Sequence, residues 1–334
     1  MTVEFLLIFF VSVLFVWGMK HYSPRIGLVD IPNIRSSHND VIPRGGGVGF
    51  TMAVWLLLPF ICFSVVTEYF WTFIAIFLVL IVGFLDDHRD TSPNTKFIVI
   101  ILATILIYFD NIVIDDIGVF FGWHLQLGWL ALPFTALAVV GFTNALNLID
   151  GLDGLAAGIS IVIFTSLFSV GYMHDDTFIT CISLAFIAAL SAFLLFNWNP
   201  ASIFMGDSGS LVLGFVIAVL SVKALAYIPA VSILFLAAIP NMDVMIILVR
   251  RKMHGHSAFA ADKCHFHHIL HQFFSNNTKK TVFFLIVLQV IYSMTGLQLD
   301  KNIDEGYLLV LFILNTVMLY LILSTMIKRQ KRDC

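Results

Sequence analysis

The sequence predicts an all-α, polytopic integral membrane protein of about eleven transmembrane helices, and three observations predict it. Hydrophobic residues make up 60% of the 334-residue chain and charged residues only 12%, against roughly 45–50% and about 25% in soluble domains. Mean hydropathy is +0.97. Apolar runs recur near the length of ~20 residues that carries a helix across ~30 Å of hydrocarbon. The polar gaps between them are too short for a separate soluble domain, so residues 1–334 read as a single membrane domain. This composition excludes a disordered chain, a collagen and a soluble globular enzyme. A net charge of −3 gives no reason to expect a nucleic acid.

In chain order the runs are 3–19, 46–66, 70–85, 97–110, 127–145, 157–173, 178–196, 208–226, 229–249, 281–297 and 306–327. The first starts Met1-Thr2-Val3-Glu4, without a basic leader or an A-x-A site, so it reads as a retained span with its N-terminus outside. If alternate gaps are assigned to the inside from there, every Lys and Arg except Lys223 and Lys301 falls on that side. Basic residues stay in the cytoplasm, so this alternation supports both the count and the orientation, with the C-terminus cytoplasmic. Cys62, Cys181, Cys264 and Cys334 are widely spaced and form no CxxC, which argues against a disulfide framework.

The outer gaps carry Asp110, Asp115, Asp116, Asp175, Asp176, Asp300, Asp304 and Glu305 with few Gly, His or Asn neighbours, and they read as solvated loop charges. The inner gaps, about 20–46, 86–96, 144–156, 197–210 and 250–280, are denser and lie where they can converge. In the first, Arg44-Gly45-Gly46-Gly47 is either a phosphate-binding turn or a flexible connector. Asp86-Asp87, followed by Lys96, places two carboxylates at a span end. A metal ion relieves their repulsion, or one is raised in pKa and serves as a base, or they cap the helix. Asn147, Asp150 and Asp153, if the stretch is helical, share one stripe able to bind Mg²⁺ or its waters, and a Gly/Asp turn between spans is the alternative. Asn197, Phe204 and Asp207-Ser208 sit in the fourth gap, where Asp207 is a ligand or an N-cap and Phe204 a stacking surface for a base. The fifth holds Arg250, His265, His267 and His268, suited to phosphate binding or acid–base work. A zinc site using Cys264 or a basic helix on anionic lipid is the competing account. Asp243 lies inside span nine, where an acid defaults to function, with a basic partner in the fifth gap. Asp pairs, Asn, Gly turns, Arg/Lys and His without a Walker loop or a Ser or Cys nucleophile suit metal-assisted phosphate chemistry.

Asp86-Asp87, Asn147-x-x-Asp150-Gly-x-Asp153-Gly, Asn197 with Phe204-Met-Gly-Asp207-Ser-Gly-Ser, and His265-x-His267-His268 occur in an order and spacing that resembles the polyprenyl-phosphate N-acetylhexosamine-1-phosphate transferases. That superfamily includes the phospho-MurNAc-pentapeptide translocase. The stretch Arg35-Ser-Ser-His38 with Pro43-Arg-Gly-Gly-Gly47 resembles its O-antigen and enterobacterial-common-antigen initiating branch.

The resemblance implies attack by undecaprenyl phosphate on a UDP-N-acetylhexosamine, with release of UMP, Mg²⁺ as cofactor (Mn²⁺ as a substitute) and a homodimer in the bacterial inner membrane. Its product is a lipid-pyrophosphoryl sugar that starts O-antigen or a related cell-surface polysaccharide. It implies catalytic roles for Asp86 (as base), Asp87, Asp150, Asp153 and Asp207. Metal contacts fall to Asp207, Asp87 and Asn197. Substrate contacts fall to Arg44, Lys96, Asn147, Asn197, Phe204, Arg250, His265, His267 and His268. Sugar choice is expected from the stretch around His254 to Asp262. Two rivals belong to other classes: an intramembrane prenyltransferase using Asp86-Asp87-x-x-Asp90, and a coupled transporter.

Overall fold

The structure, a computed structural model, describes residues 2–32, 40–89, 91–253 and 265–329. Asn33, Arg35, Ser36, Ser37, His38, Asp90, the 254–262 stretch and Cys264 lie outside the described residues. The described chain folds into helices α1 (Thr2–Tyr22), α2 (Gly46–Ile61), α3 (Phe63–Glu68), α4 (Phe70–Arg89), α5 (Pro93–Tyr108), α6 (Ala131–Ile149) and α7 (Leu155–Met173). After these come α8 (Thr177–Asn197), α9 (Asp207–Ala224), α10 (Ala230–Leu236), α11 (Ala238–Met253), α12 (Phe266–Phe273), α13 (Thr278–Leu297) and α14 (Glu305–Arg329). Two short antiparallel hairpins are added: β1 (Val29–Asp30) with β2 (Ile42–Pro43), and β3 (Asp116–Phe120) with β4 (Trp123–Gln126).

Among the described residues eight helices are long and apolar enough to cross a membrane, and a ninth span results if α10 and α11 count as one. The shorter apolar helices α2 and α5 occupy two further expected runs. The protein is thus a helical, multi-pass membrane protein. α9 is the axis of the bundle. Ser208 to Val222 are buried on every side, as expected of a helix that is apolar all round. α1 and α14 lie at the rim with most of their surface outward, where lipid solvates it.

Two expected runs are interrupted. The second breaks at Cys62, between α2 and α3. The ninth turns by 93° between α10 and α11. Pro240 explains the turn, because it has no N–H to donate to the Leu236 carbonyl one turn back. That carbonyl instead accepts from Gln289 Nε2 (2.8 Å) and Ser293 Oγ (3.1 Å) of α13, while Gln289 Oε1 accepts from the Ile239 N–H at 3.0 Å. One buried amide therefore satisfies both sides of the break.

Two expectations are corrected. A disulfide was not expected, yet Cys62 and Cys181 are bonded across a sequence separation of 119; α2 and α8 are neighbours in space, which spacing along the chain does not reveal. The outer acids are also more than solvated charges. Asp110 accepts from Thr72 N (2.6 Å) and Oγ1 (2.7 Å), and Asp176 caps α8 through Ile179 N (2.9 Å). Asp304 holds the β3–β4 turn through Phe121 N and Gly122 N (both 2.8 Å), and Glu305 caps α10 through Ala230 N (2.6 Å) and Val231 N (2.9 Å). Buried or strained backbone ends need acceptors, and these carboxylates supply them.

Candidate active site

The expected acids meet at one end of the bundle, around the N-terminus of α9. Asp87, near the end of α4, places Oδ1 2.7 Å from the Asp207 N–H and Oδ2 2.9 Å from the Ser208 N–H. Both of its oxygens accept from the first turn of α9, whose open N–H groups and dipole favour a carboxylate. Gly206 precedes them at φ +74°, and a Cβ there would lie 2.5 Å from Asp87 Oδ2. Glycine is required at that position twice over, by its backbone angle and by the close approach. α2 is locked onto the same turn: a Cβ on Gly47 would lie 2.1 Å from the Gly209 nitrogen, and Gly46 N and Gly47 N donate to Phe204 O (3.0 Å) and Met205 O (2.9 Å).

Asp207 is thereby fixed in space. Its Oδ1 accepts from Asn147 Nδ2 at 3.1 Å, and Asn147 also donates to Ser210 Oγ at 2.8 Å. Its Oδ2 pairs with the Lys96 ammonium. Lys96 bridges back to Asp86 Oδ2 at 2.7 Å, while Asp86 Oδ1 accepts from Thr91 N (2.8 Å) and Thr91 Oγ1 (2.6 Å). One ammonium thus bridges two carboxylates, the buried Asp86 and the partly exposed Asp207, and Thr91 holds the far side of the first.

Above this floor is a cavity of about 330 Å³ lined by Asp30, Arg44, Asn147, Asp150, Asp153, Asn197, Phe204, Asp207 and His268, among others. Asp150, the C-cap of α6, makes no side-chain hydrogen bond within the described residues. Burial, with Asp207 and Asp87 nearby, pushes its carboxyl up to about 7, against the pull of Arg44. The neighbouring Asp153 is tied down, its Oδ2 accepting from Asn199 Nδ2 (2.8 Å) and Ala201 N (3.0 Å). Asn197 is tied down as well, accepting from Gly154 N (2.9 Å) and donating to Ile203 O (3.0 Å).

The histidines close one side. His265 Nδ1 lies 2.8 Å from Asp243 Oδ2, and Asp243 Oδ1 also accepts from Phe266 N at 2.6 Å. The intramembrane acid therefore has the fifth-gap partner that its position demanded. His268 reaches the cavity wall. His267 is 2% exposed, with neither ring nitrogen hydrogen-bonded to a described residue, and a Cβ on Gly151 would lie 2.6 Å from its Nε2. Burial, reinforced by the adjacent histidines, holds His267 well below the usual imidazole range and also lowers His268. Arg250 is buried in the last turn of α11.

Asn147, Asp150, Asp153, Asn197, Asp207, Phe204, Arg44 and His268 therefore share one cavity, with Asp86, Asp87 and Lys96 forming its floor. His265 and His267 stand behind its wall, whereas Arg250 is not among its lining residues. Sequence reasoning passed over Asp30, which lines the cavity and pairs with Arg44 at 3.3 Å. It also passed over Thr91 and Ser210. Asp30 was visible as an acid in the first polar inner gap, but only the β1–β2 pairing, which sets it across from Ile42, brings it within reach of Arg44.

Residues 69–225 match the pattern of glycosyl transferase family 4. The chain is 33% identical over 303 residues to a probable undecaprenyl-phosphate N-acetylglucosaminyl 1-phosphate transferase of Bacillus subtilis (strain 168), covering 89% of this chain and 84% of that one. It is 30% identical over 330 residues to the undecaprenyl-phosphate alpha-N-acetylglucosaminyl 1-phosphate transferase of Salmonella typhi, covering 93% and 88%. To the enzyme of that name from Escherichia coli (strain K12) it is 28% identical over 332 residues, covering 94% and 88%.

Proposed function

This chain belongs to glycosyl transferase family 4, with the undecaprenyl-phosphate sugar-1-phosphate transferases as its relatives, and we propose that it transfers an N-acetylhexosamine-1-phosphate from a UDP-sugar to undecaprenyl phosphate. UMP leaves, and a lipid-pyrophosphoryl sugar is formed that begins a cell-surface polysaccharide such as O-antigen. The observation that carries the reading is the meeting of Asp150, Asp207 and the Lys96–Asp86 pair at one cavity. The transfer needs cationic and acidic groups placed around two phosphates, with little covalent work for the protein.

A phosphate monoester is already anionic near neutral pH, so the attacking lipid phosphate asks little of a base. Lys96 is placed to pair with that phosphate by exchanging one of its carboxylate partners for it, leaving Asp86 held by Thr91. Arg44 and His268 face the cavity as donors for the nucleotide-sugar phosphates, and Phe204 offers a ring for the uracil. Asp87, Asp153 and Asn197 hold α9 and the 199–203 turn, so they position the site. Toward the far end of the bundle, an apolar cavity of about 360 Å³ between α6, α9 and α10, lined by Phe134, Phe142 and Val231 among others, offers space for the distal part of a prenyl chain.

Mg²⁺, with Mn²⁺ as substitute, suits Asp150 and Asp207. Among the described residues Asp150 has no hydrogen-bonding partner, whereas the oxygens of Asp87 and Asn197 are taken by backbone N–H groups. Among the described residues no three Asp, Glu, His or Cys side chains form a ready cage, and Mg²⁺ needs only one or two carboxylates when phosphates and water complete its shell. Bound there, it would neutralise charge developing on the phosphate oxygens.

The same reading places the protein as an eleven-span chain in the bacterial plasma membrane, site toward the cytoplasm, assembled as a homodimer. The family disfavours the prenyltransferase and the transporter. Purified protein should release UMP from one of a panel of UDP-N-acetylhexosamines only with undecaprenyl phosphate and Mg²⁺ present. Folded protein that releases none across the panel defeats the reading.

A further inference from the structure

Cys62 follows α2 at its break with α3, and Cys181 lies just over a turn into α8. Both helices reach the site with their other ends: α2 begins at Gly46 beside Arg44, and α8 ends at Asn197. Sixteen residues of helix separate Cys62 from Gly46 and Cys181 from Asn197. At 1.5 Å per residue, the sulfurs therefore sit roughly 24 Å from the acid–histidine cavity, at the far end of the bundle. The two helices stay in contact along the way, with the Phe50 and Phe193 rings 5.4 Å apart. The sulfurs line their own cavity of about 450 Å³, with Asp175, Asp176 and Thr177 from the polar turn between α7 and α8. Both cysteines are half-buried, so solvent and small thiols reach them.

We infer that Cys62 and Cys181 form a native disulfide, made on the membrane face opposite the acid–histidine cavity, and that it staples α2 to α8. In forming it, the thiolate of one cysteine attacks a disulfide-bearing oxidant and makes a mixed disulfide. The second thiolate displaces the oxidant's sulfur. One S–S bond forms as another breaks, and two electrons and two protons pass to the oxidant, which leaves as a dithiol. Such bonds persist in oxidising compartments and are rare where glutathione and thioredoxin act. The bond therefore assigns the sulfur end to the oxidising side and the cavity to the cytoplasm. The inward bias of Lys and Arg supports the same orientation independently. Closing so long a chain loop restricts the unfolded chain, so the staple stabilises the folded one. None of this depends on which reaction the cavity performs.

The test uses the full chain carrying Cys264→Ser and Cys334→Ser, so that only this pair can react. Membranes lysed directly into N-ethylmaleimide should yield intact protein with no adduct before reduction and two after it. Two adducts before reduction would overturn the native bond. Reducing the purified, folded protein should lower its unfolding midpoint by about 5 °C or more. Cys62→Ser with Cys181→Ser should melt at the reduced value and ignore reductant. A midpoint that reduction leaves unchanged defeats the staple. A membrane-impermeant phosphine followed by maleimide should label the pair in spheroplasts; labelling confined to inverted vesicles defeats the side assignment.

Discussion

At the far end of the bundle, Asp110, Asp176, Asp304 and Glu305 each accept from backbone N–H groups at helix starts or a hairpin turn. At the site end, Asp150 accepts from no described residue, and Asp86 and Asp207 share one lysine. The acids are of the same kind and crowd bundle ends in both places. What differs is the capacity left after folding is satisfied. A carboxylate that caps a helix has its lone pairs directed at the backbone and little left for a ligand. A carboxylate held near other acids without a donor is destabilised in the free protein and is relieved by a cation or a phosphate-bound metal. The contrast also runs through the site itself, where Asp87 and Asp153 behave like the far-end acids.

The sharpest way to break this comparison is to neutralise the acids that no backbone N–H group caps. Asp207→Asn and Asp150→Asn should each lower UMP release by a factor of about 10²–10³, the loss of roughly 3–4 kcal/mol of transition-state stabilisation, in protein that still elutes as a folded species. Near-native turnover in both would show that the uncapped acids are not the working ones.

Asp150 adds a test of sign. Its carboxyl titrates at about 7 in the folded chain, against 3.8 as the reference value. The folded state therefore holds the proton more tightly. The stability this contributes is present below about 3.8 and is lost as pH rises through 7. Asp150→Asn, which removes the buried charge, should thus melt at a higher temperature than the parent at pH 8, with the gap closing at pH 5. A lower midpoint at pH 8 would mean that Asp150 has a structural partner.

Asp87→Ala should do the opposite. It leaves two N–H groups of α9 without an acceptor, at a cost of about 1–3 kcal/mol each where they are buried, so the protein should lose stability and activity together. Asp87→Asn, which keeps one acceptor, should recover part of both in thermal melts and UMP assays.

The smallest effects belong to the far end. Glu305→Gln and Asp176→Ala should each cost about 1–2 kcal/mol through a weakened helix cap and leave kcat and KM within about twofold, since ordinary cap losses stay local. A far-end change that altered KM sharply would show that the two ends are coupled.

Much of this was legible from the chain alone, for a reason specific to membranes. Lipid forces every backbone group into helix and every span to a fixed length, so composition and run length located the apolar helices, eight or nine of which are long enough to cross a membrane among the described residues. The motif residues announced the site because Asp, Asn, His and Gly are costly among apolar neighbours and need a purpose. Even the turn at Pro240 had its sign in the missing N–H, although Gln289, which repairs it, lies 49 residues further on. The rest was decided only by tertiary structure. Sequence cannot separate Asp87 from Asp86, or Asp153 from Asp150, because members of each pair differ only in which N–H group meets them. Nor can it bring Asp30 to Arg44 or Cys62 to Cys181, because which helices become neighbours depends on packing around α9. The sequence by itself determined what each residue can do; the fold decided which of those capacities remain unused by folding and open to a ligand.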